Sequence, residues 1–166
     1  MSLNDIHLPA NTIVDLYKNV LIEPTESSSK KIKPTKSSIN YLGNNKQEIV
    51  ILVQYSDVVH LPDPQLTFLT NILTACKLNL NDIAIINMKH VGPISFKEIY
   101  KITPAKIVLL FDVMPDLISL PINFPLFQVQ SFDGISYLTA PSLEKIERDK
   151  TLKTNLWTSL KKIFKL

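Results

Sequence analysis

Glu48-Ile49-Val50-Ile51-Leu52-Val53-Gln54-Tyr55 is the stretch from which the fold of this chain is read. Five consecutive apolar residues, mostly β-branched, lie between a charged entry and a polar exit. A strand with one wet face alternates apolar and polar residues, whereas a strand covered on both faces reads as an unbroken Val/Ile/Leu run. A matching run occupies residues 106–111 (Lys-Ile-Val-Leu-Leu-Phe) and a weaker one residues 82–86. Strands of this kind need helices packed above and below them.

Helix signals fill the gaps between the runs. Asp63 is a good N-cap with Pro64 at the first helical position, and Leu66, Leu69, Ile72, Leu73 and Cys76 form a buried stripe to about residue 77. Ser95-Phe96-Lys97-Glu98 is a capping box opening a short helix, with Ile99 and Ile102 facing inward and Pro104 ending it. Strand, helix, strand, helix, strand predicts an α/β domain with a mainly parallel central sheet and right-handed crossovers, its helices in layers on either side.

Downstream, residues 113–125 hold three prolines and read as loop with a short helical piece around 116–119. Strands are expected at 126–130 and 135–139, joined by a turn at Phe132-Asp133-Gly134. A helix capped by Ser142 breaks near Asp149. The final helix then runs to about Phe164, with Leu152, Leu156, Trp157, Leu160, Ile163 and Phe164 on one face. Lys150, Lys153, Lys161, Lys162 and Lys165 ring the opposite side. A basic face with one aromatic has the chemistry to track phosphates, and a solvated helix face is the blander alternative.

Upstream, residues 11–22 read as an amphipathic helix with Ile13, Leu16, Tyr17, Val20 and Leu21 on one stripe, followed by Pro24. A helix this short needs a surface to lie against, either its own domain or a partner. Residues 23–36 are polar and rich in Ser, Lys and Pro, the texture of a flexible tether. The expected layout is a docking helix over residues 1–23, a polar linker over 24–42 and the α/β domain over 43–166.

The 166 residues suit one well-filled core, and a net charge of +3 does not by itself declare a nucleic-acid binder. Cys76 is the sole cysteine, which excludes an internal disulfide and fits a reducing compartment. No apolar stretch approaches the roughly 20 residues needed to span a bilayer, and the N-terminus lacks the features of a signal peptide. A cytoplasmic protein is expected.

In open α/β sheets ligands bind beyond the carboxyl ends of the strands, so the loop after the first strand is the first place to look. It offers Asp57, His60 and Asp63, of which Asp63 is better explained as a helix cap, and two residues do not make a metal site. His7 and His90 have no second ligand at metal spacing. The only glycines, Gly43, Gly92 and Gly134, are too few for a P-loop or a dinucleotide fingerprint. No metal or cofactor is expected, and no catalytic signature names a reaction.

The order of elements from residue 106 to 164 carries a resemblance: apolar strand, proline-rich loop, strand pair, Tyr137-Leu138-Thr139-Ala140-Pro141-Ser142-Leu143, then a last helix containing Leu156-Trp157. This resembles the psi subunit of the bacterial DNA polymerase III holoenzyme, a small protein attached to the clamp loader. Residues 49–55, Leu61-Pro62-Asp63-Pro64 and Asn79-Leu80-Asn81-Asp82 resemble that family's first strand, its following turn and helix, and the approach to its second strand. The resemblance implies a non-enzymatic bridging protein. Its N-terminal helix, here anchored by Ile13, Leu16, Tyr17, Val20 and Leu21, would dock on the clamp-loader ATPase, and its globular domain would hold a chi-like subunit.

The psi fold is related to that of uracil-DNA glycosylases, which supplies a rival: a base-removing hydrolase with a polar pocket around Asp57, His60 and Ser142. Where a glycosylase has His-Pro-Ser, this chain has Ala140-Pro141-Ser142, and Ala140 neither donates a hydrogen bond nor holds charge. The glycine of the other glycosylase motif is missing near Asp57. A third alternative is a single-stranded nucleic-acid-binding module using Lys150, Lys153, Lys161 and Lys162.

Overall fold

The structure is a computed structural model, and it describes residues 39–166. The expected docking helix with its anchors Ile13, Leu16, Tyr17, Val20 and Leu21, and most of the polar linker, lie outside the described residues.

The elements in chain order are β1 (Tyr41–Leu42), β2 (Ile49–Val53), α1 (Asp63–Ala75), β3 (Ile83–Asn87), α2 (Met88–Val91), α3 (Phe96–Ile102), β4 (Ile107–Phe111), a 3-10 turn (Pro115–Ile118), β5 (Val129–Phe132), β6 (Ile135–Ala140), α4 (Leu143–Arg148) and α5 (Lys150–Phe164). They build an α/β fold around one six-stranded sheet of order β1-β3-β2-β4-β6-β5. The sheet is mixed. β3, β2, β4 and β6 run parallel to one another, while β1 is antiparallel to β3 and β5 antiparallel to β6. The antiparallel edge at β5 follows from its turn: Asp133 and Gly134 both have positive φ (51° and 75°), the signature of a two-residue hairpin, and such a connection joins only antiparallel strands.

Every residue of β2 and β3 is buried, as unbroken apolar runs require. Successive side chains then point to opposite faces. Ile49, Ile51 and Val53 pack with Leu69 and Leu73 of α1, Leu143 and Ile146 of α4, and Leu156 and Leu160 of α5. Val50 and Leu52 pack with Met88, with Phe96 and Ile99 of α3, and with Ile118, Leu120 and Phe124 of the proline-rich segment. Cys76 belongs to the first of these cores as a small buried residue, and burial pushes its thiol pKa up.

Local signals fared unevenly. The Ser95 capping box forms, with Ser95 N–H donating to the Glu98 carboxylate (3.1 Å) and Ser95 Oγ accepting from Lys97 N–H (3.3 Å). Asp149 restarts the last helix, its Oδ1 accepting from Thr151 N–H and Leu152 N–H at 2.7 and 3.2 Å. Asp63 is not the cap of α1. Pro62 holds that position, its carbonyl accepting from Leu66 N–H at 2.9 Å, and Asp63 instead places its charge in the first turn, where the helix dipole favours it. Ser142 stands at the N-cap of α4 but makes no side-chain cap bond. The strand expected at 126–130 begins only at Val129, because Phe127 is in the left-handed region (φ 60°) and Leu126 forms only an isolated bridge to Thr139. The strand β1 and the single-turn helix α2, which Gly92 ends at φ 74°, carry no sequence signal strong enough to assign.

Gly43 secures the amino end of the sheet. Its φ of 109° is costly for any residue with a side chain, and a Cβ there would collide with the carbonyl oxygens of Ile83 and Leu80. This close approach lets Asn45 N–H, Lys46 N–H and Gln47 N–H reach the carbonyls of Ile83, Asn81 and Asp82 at 2.9, 3.1 and 3.0 Å.

Candidate functional site

The central strand β2 lies between β3 and β4, so the connection leaving it departs to one side of the sheet and the connection returning to β4 crosses to the other. A crevice at the carboxyl ends of β2 and β4 is where open α/β sheets place ligands. The chain presents there Gln54 and Tyr55 after β2, Asn87 at the end of β3, Asp112 after β4, and Pro141 and Ser142 after β6.

Asn87 is the best-connected polar residue at this end. Its side chain is buried (1% exposed) and all its hydrogen-bonding capacity faces local backbone. Oδ1 accepts from Tyr55 N–H (3.1 Å) and Lys89 N–H (3.2 Å), and Nδ2 donates to the carbonyls of Tyr55 and Val58 (both 2.8 Å). His90 Nε2 meets the same Val58 carbonyl at 2.8 Å. Backbone groups in the β2–α1 loop have no sheet partner, and Asn87 supplies one in the place of water. The amide therefore fixes the loop that leaves the central strand.

Tyr55 is half-buried, and its hydroxyl has no hydrogen-bond partner among the described residues. Burial first, and then the nearby carboxylates of Glu144, Asp112 and Glu147, disfavour its phenolate and push its pKa up to about 12. Asp112 itself sits in the left-handed region (φ 58°), with its N–H on the Ala140 carbonyl at 3.0 Å. On the other face of the sheet, Tyr100 and Tyr137 share a short hydroxyl–hydroxyl bond of 2.5 Å, and Tyr137 stacks on Phe124 with ring centroids 5.2 Å apart. Burial raises the pKa of both tyrosines, and for Tyr100 the shared bond raises it further.

Asp57 is exposed and His60 half-buried, with the Nδ1 of His60 enclosed and unpaired, while Asp63 and Ser142 open α1 and precede α4. Among the described residues no group of three or more His, Cys, Asp or Glu side chains is placed to hold a metal ion. A cavity of about 580 Å³ does open at the carboxyl ends, but its walls come from Gln54, Met88, Lys89, Ile94, Asp116 and neighbouring residues. Asp57, His60 and Ser142 do not line it. Sequence reasoning passed over Gln54 and Asn87; the signal available for Asn87 was an amide closing the otherwise apolar run Ile83-Ala84-Ile85-Ile86.

The lysines of α5 are exposed as expected, but the helix faces divide differently. Trp157, assigned to the apolar face, is 36% exposed, and Lys153 folds over the Phe68 ring at 5.6 Å from its centroid. Among the described residues no helix is long and apolar enough to cross a membrane. No protein-family model and no curated protein sequence matches the chain.

Proposed function

We propose that this chain is a non-catalytic accessory subunit of the psi type, docking on a clamp-loader ATPase through residues 11–22 and presenting its α/β domain to a second, chi-like replication protein. The observation that carries the reading is the chemistry at the carboxyl ends of the strands. The Asn87 amide is fully engaged in holding the β2 exit loop, and the residue closing β6 is Ala140. A bridging protein needs a rigid domain there rather than reacting groups. The Ala140-Pro141-Ser142 segment that carries the resemblance to the psi and uracil-DNA-glycosylase folds does lead from β6 into α4.

Calorimetry with a cognate clamp-loader assembly tests the role. The full chain should bind; a chain starting at Ser38, which keeps buried Ile39 and strand β1, should not, and neither should the full chain carrying Leu16→Asp and Val20→Asp. No binding by the full chain, or undiminished binding by both variants, sinks the proposal. The cavity beside Gln54 is not lined by Asp57, His60 or Ser142, so it lends no support to the alternative of a glycosylase-like hydrolase. Turnover of a uracil-containing oligonucleotide that disappears on Asp57→Asn would establish it in place of the bridging role.

A further inference from the structure

Away from the strand ends, α1, α4 and α5 leave a groove of about 150 Å³ lined by Phe68, Ile72, Ile146, Leu156, Trp157 and Leu160, with Lys153 at its rim. The space accommodates one large apolar side chain and is too small for a helix. Its flanks differ in charge: α4, which contributes Ile146, carries both signs as Glu144, Lys145, Glu147 and Arg148, and the other two helices are one-sided. From Pro64 to Ala75, α1 carries no charged residue, whereas α5 carries Lys150, Lys153, Lys161 and Lys162 and no acidic one. At about 100° per residue, Lys150, Lys153 and Lys161 fall within roughly 40° of Trp157 around the helix, while Lys162 lies about 140° away. Three ammonium groups are thus in phase with the half-exposed indole along one border of the groove.

We infer that this groove is a docking site for an acidic peptide bearing a single aromatic or leucine anchor. The anchor fills the apolar space against Leu156, Leu160 and Trp157, and the flanking carboxylates meet Lys150, Lys153 and Lys161. Anchors of this kind, buried in a pocket and ringed by complementary charge, are how small interfaces concentrate their binding energy. A nucleic-acid strand would also meet the lysines. Its bases could stack on Phe68 or Trp157, but inside a groove walled by apolar side chains their polar edges would find no hydrogen bond, which is costly. The proposal invokes no clamp-loader contact, so it stands or falls independently of that role.

Trp157 is the only tryptophan of the chain and reports on the groove directly. The full chain is titrated with a synthetic peptide of glutamates around one central phenylalanine, followed by both indole emission and calorimetry. The expected result is saturable binding with a blue shift, weakened by salt and abolished when the phenylalanine is alanine. Lys150→Glu with Lys161→Glu, both exposed, should weaken it roughly tenfold while circular dichroism stays unchanged, and Lys162→Glu should change it by less than about twofold. No saturable binding, equal binding of the alanine peptide, or binding of oligothymidylate in place of the peptide overturns the proposal.

Discussion

Replacing Asn87 by alanine removes the side chain that makes the most bonds to the loop leaving the central strand. Four hydrogen bonds disappear together: two accepted by Oδ1 from Tyr55 and Lys89, and two donated by Nδ2 to Tyr55 and Val58. A typical bond contributes about 1 kcal/mol net, and stranded buried partners cost more. Part of the loop lies near solvent and recovers water, so the expected loss is about 2–4 kcal/mol, a large share of the roughly 5–15 kcal/mol available to a domain. Urea unfolding monitored by circular dichroism should show the midpoint falling with an unchanged slope, and the thermal midpoint dropping by about 10 °C. Asn87→Asp sharpens the test. It keeps the two accepted bonds but turns a second oxygen toward the carbonyls of Tyr55 and Val58, so the introduced carboxyl has a folded-state pKa raised above its unfolded value of about 3.9. Its deficit relative to the native chain is then largest above that raised pKa and shrinks as pH falls through it, a pH dependence that Asn87→Ala lacks. A loss below about 0.5 kcal/mol for Asn87→Ala, the range of an ordinary surface change, refutes the anchoring role.

Gly43→Ala should cost more than about 3 kcal/mol, since it combines positive φ with a clash against two backbone carbonyls; thermal unfolding measures it, and a near-neutral result contradicts the close approach. Tyr100→Phe and Tyr137→Phe should each cost about 1–2 kcal/mol and the double variant clearly less than their sum, which a double-mutant cycle reads. Because the folded-state pKa of Tyr55 is pushed to about 12 and those of Tyr100 and Tyr137 are also raised, the unfolded chain loses these protons first. Their contribution is complete below about pH 10 and is lost as pH rises through the folded values, and urea midpoints taken across that range should fall steadily. The exposed pair Lys106–Glu48 should be worth under about 1 kcal/mol, so Lys106→Ala leaves the thermal midpoint nearly unmoved.

What could be read from sequence followed from how local each signal is. Runs such as Ile49–Val53 and Ile107–Phe111 declare burial on both faces by themselves, and a capping box at Ser95 needs only residues within one turn. The mixed character of the sheet was already implicit in Asp133-Gly134, since a two-residue turn reverses the chain, yet the alternation of strands and helices pulled the expectation toward parallel pairing. Partnerships across the sheet left no such mark. Asn87 meets Tyr55 from 32 positions away, and a lone amide at the end of an apolar run looks the same whether it binds a ligand or a loop. The amphipathic pattern of α5 put Trp157 with the buried residues; the position of α1 decides instead that the indole stays half-exposed beside Phe68 and Lys153.

The central place of β2 has a consequence for the chain as it is made. This strand is synthesised before both its neighbours, yet its second partner β4 ends 58 residues later, between Val53 and Phe111. At roughly 5–20 residues per second, five contiguous apolar residues wait about 3–12 s for the second half of their pairing. Such a segment is the kind that self-associates in nascent chains, and the sequence brackets it with Lys46, Gln47 and Glu48 before and Gln54 after. Those polar side chains act while the protein is being born as well as once it is folded. Gln47→Val, at an exposed position, would therefore be expected to lower the yield of recoverable protein far more than it lowers the stability of what does fold.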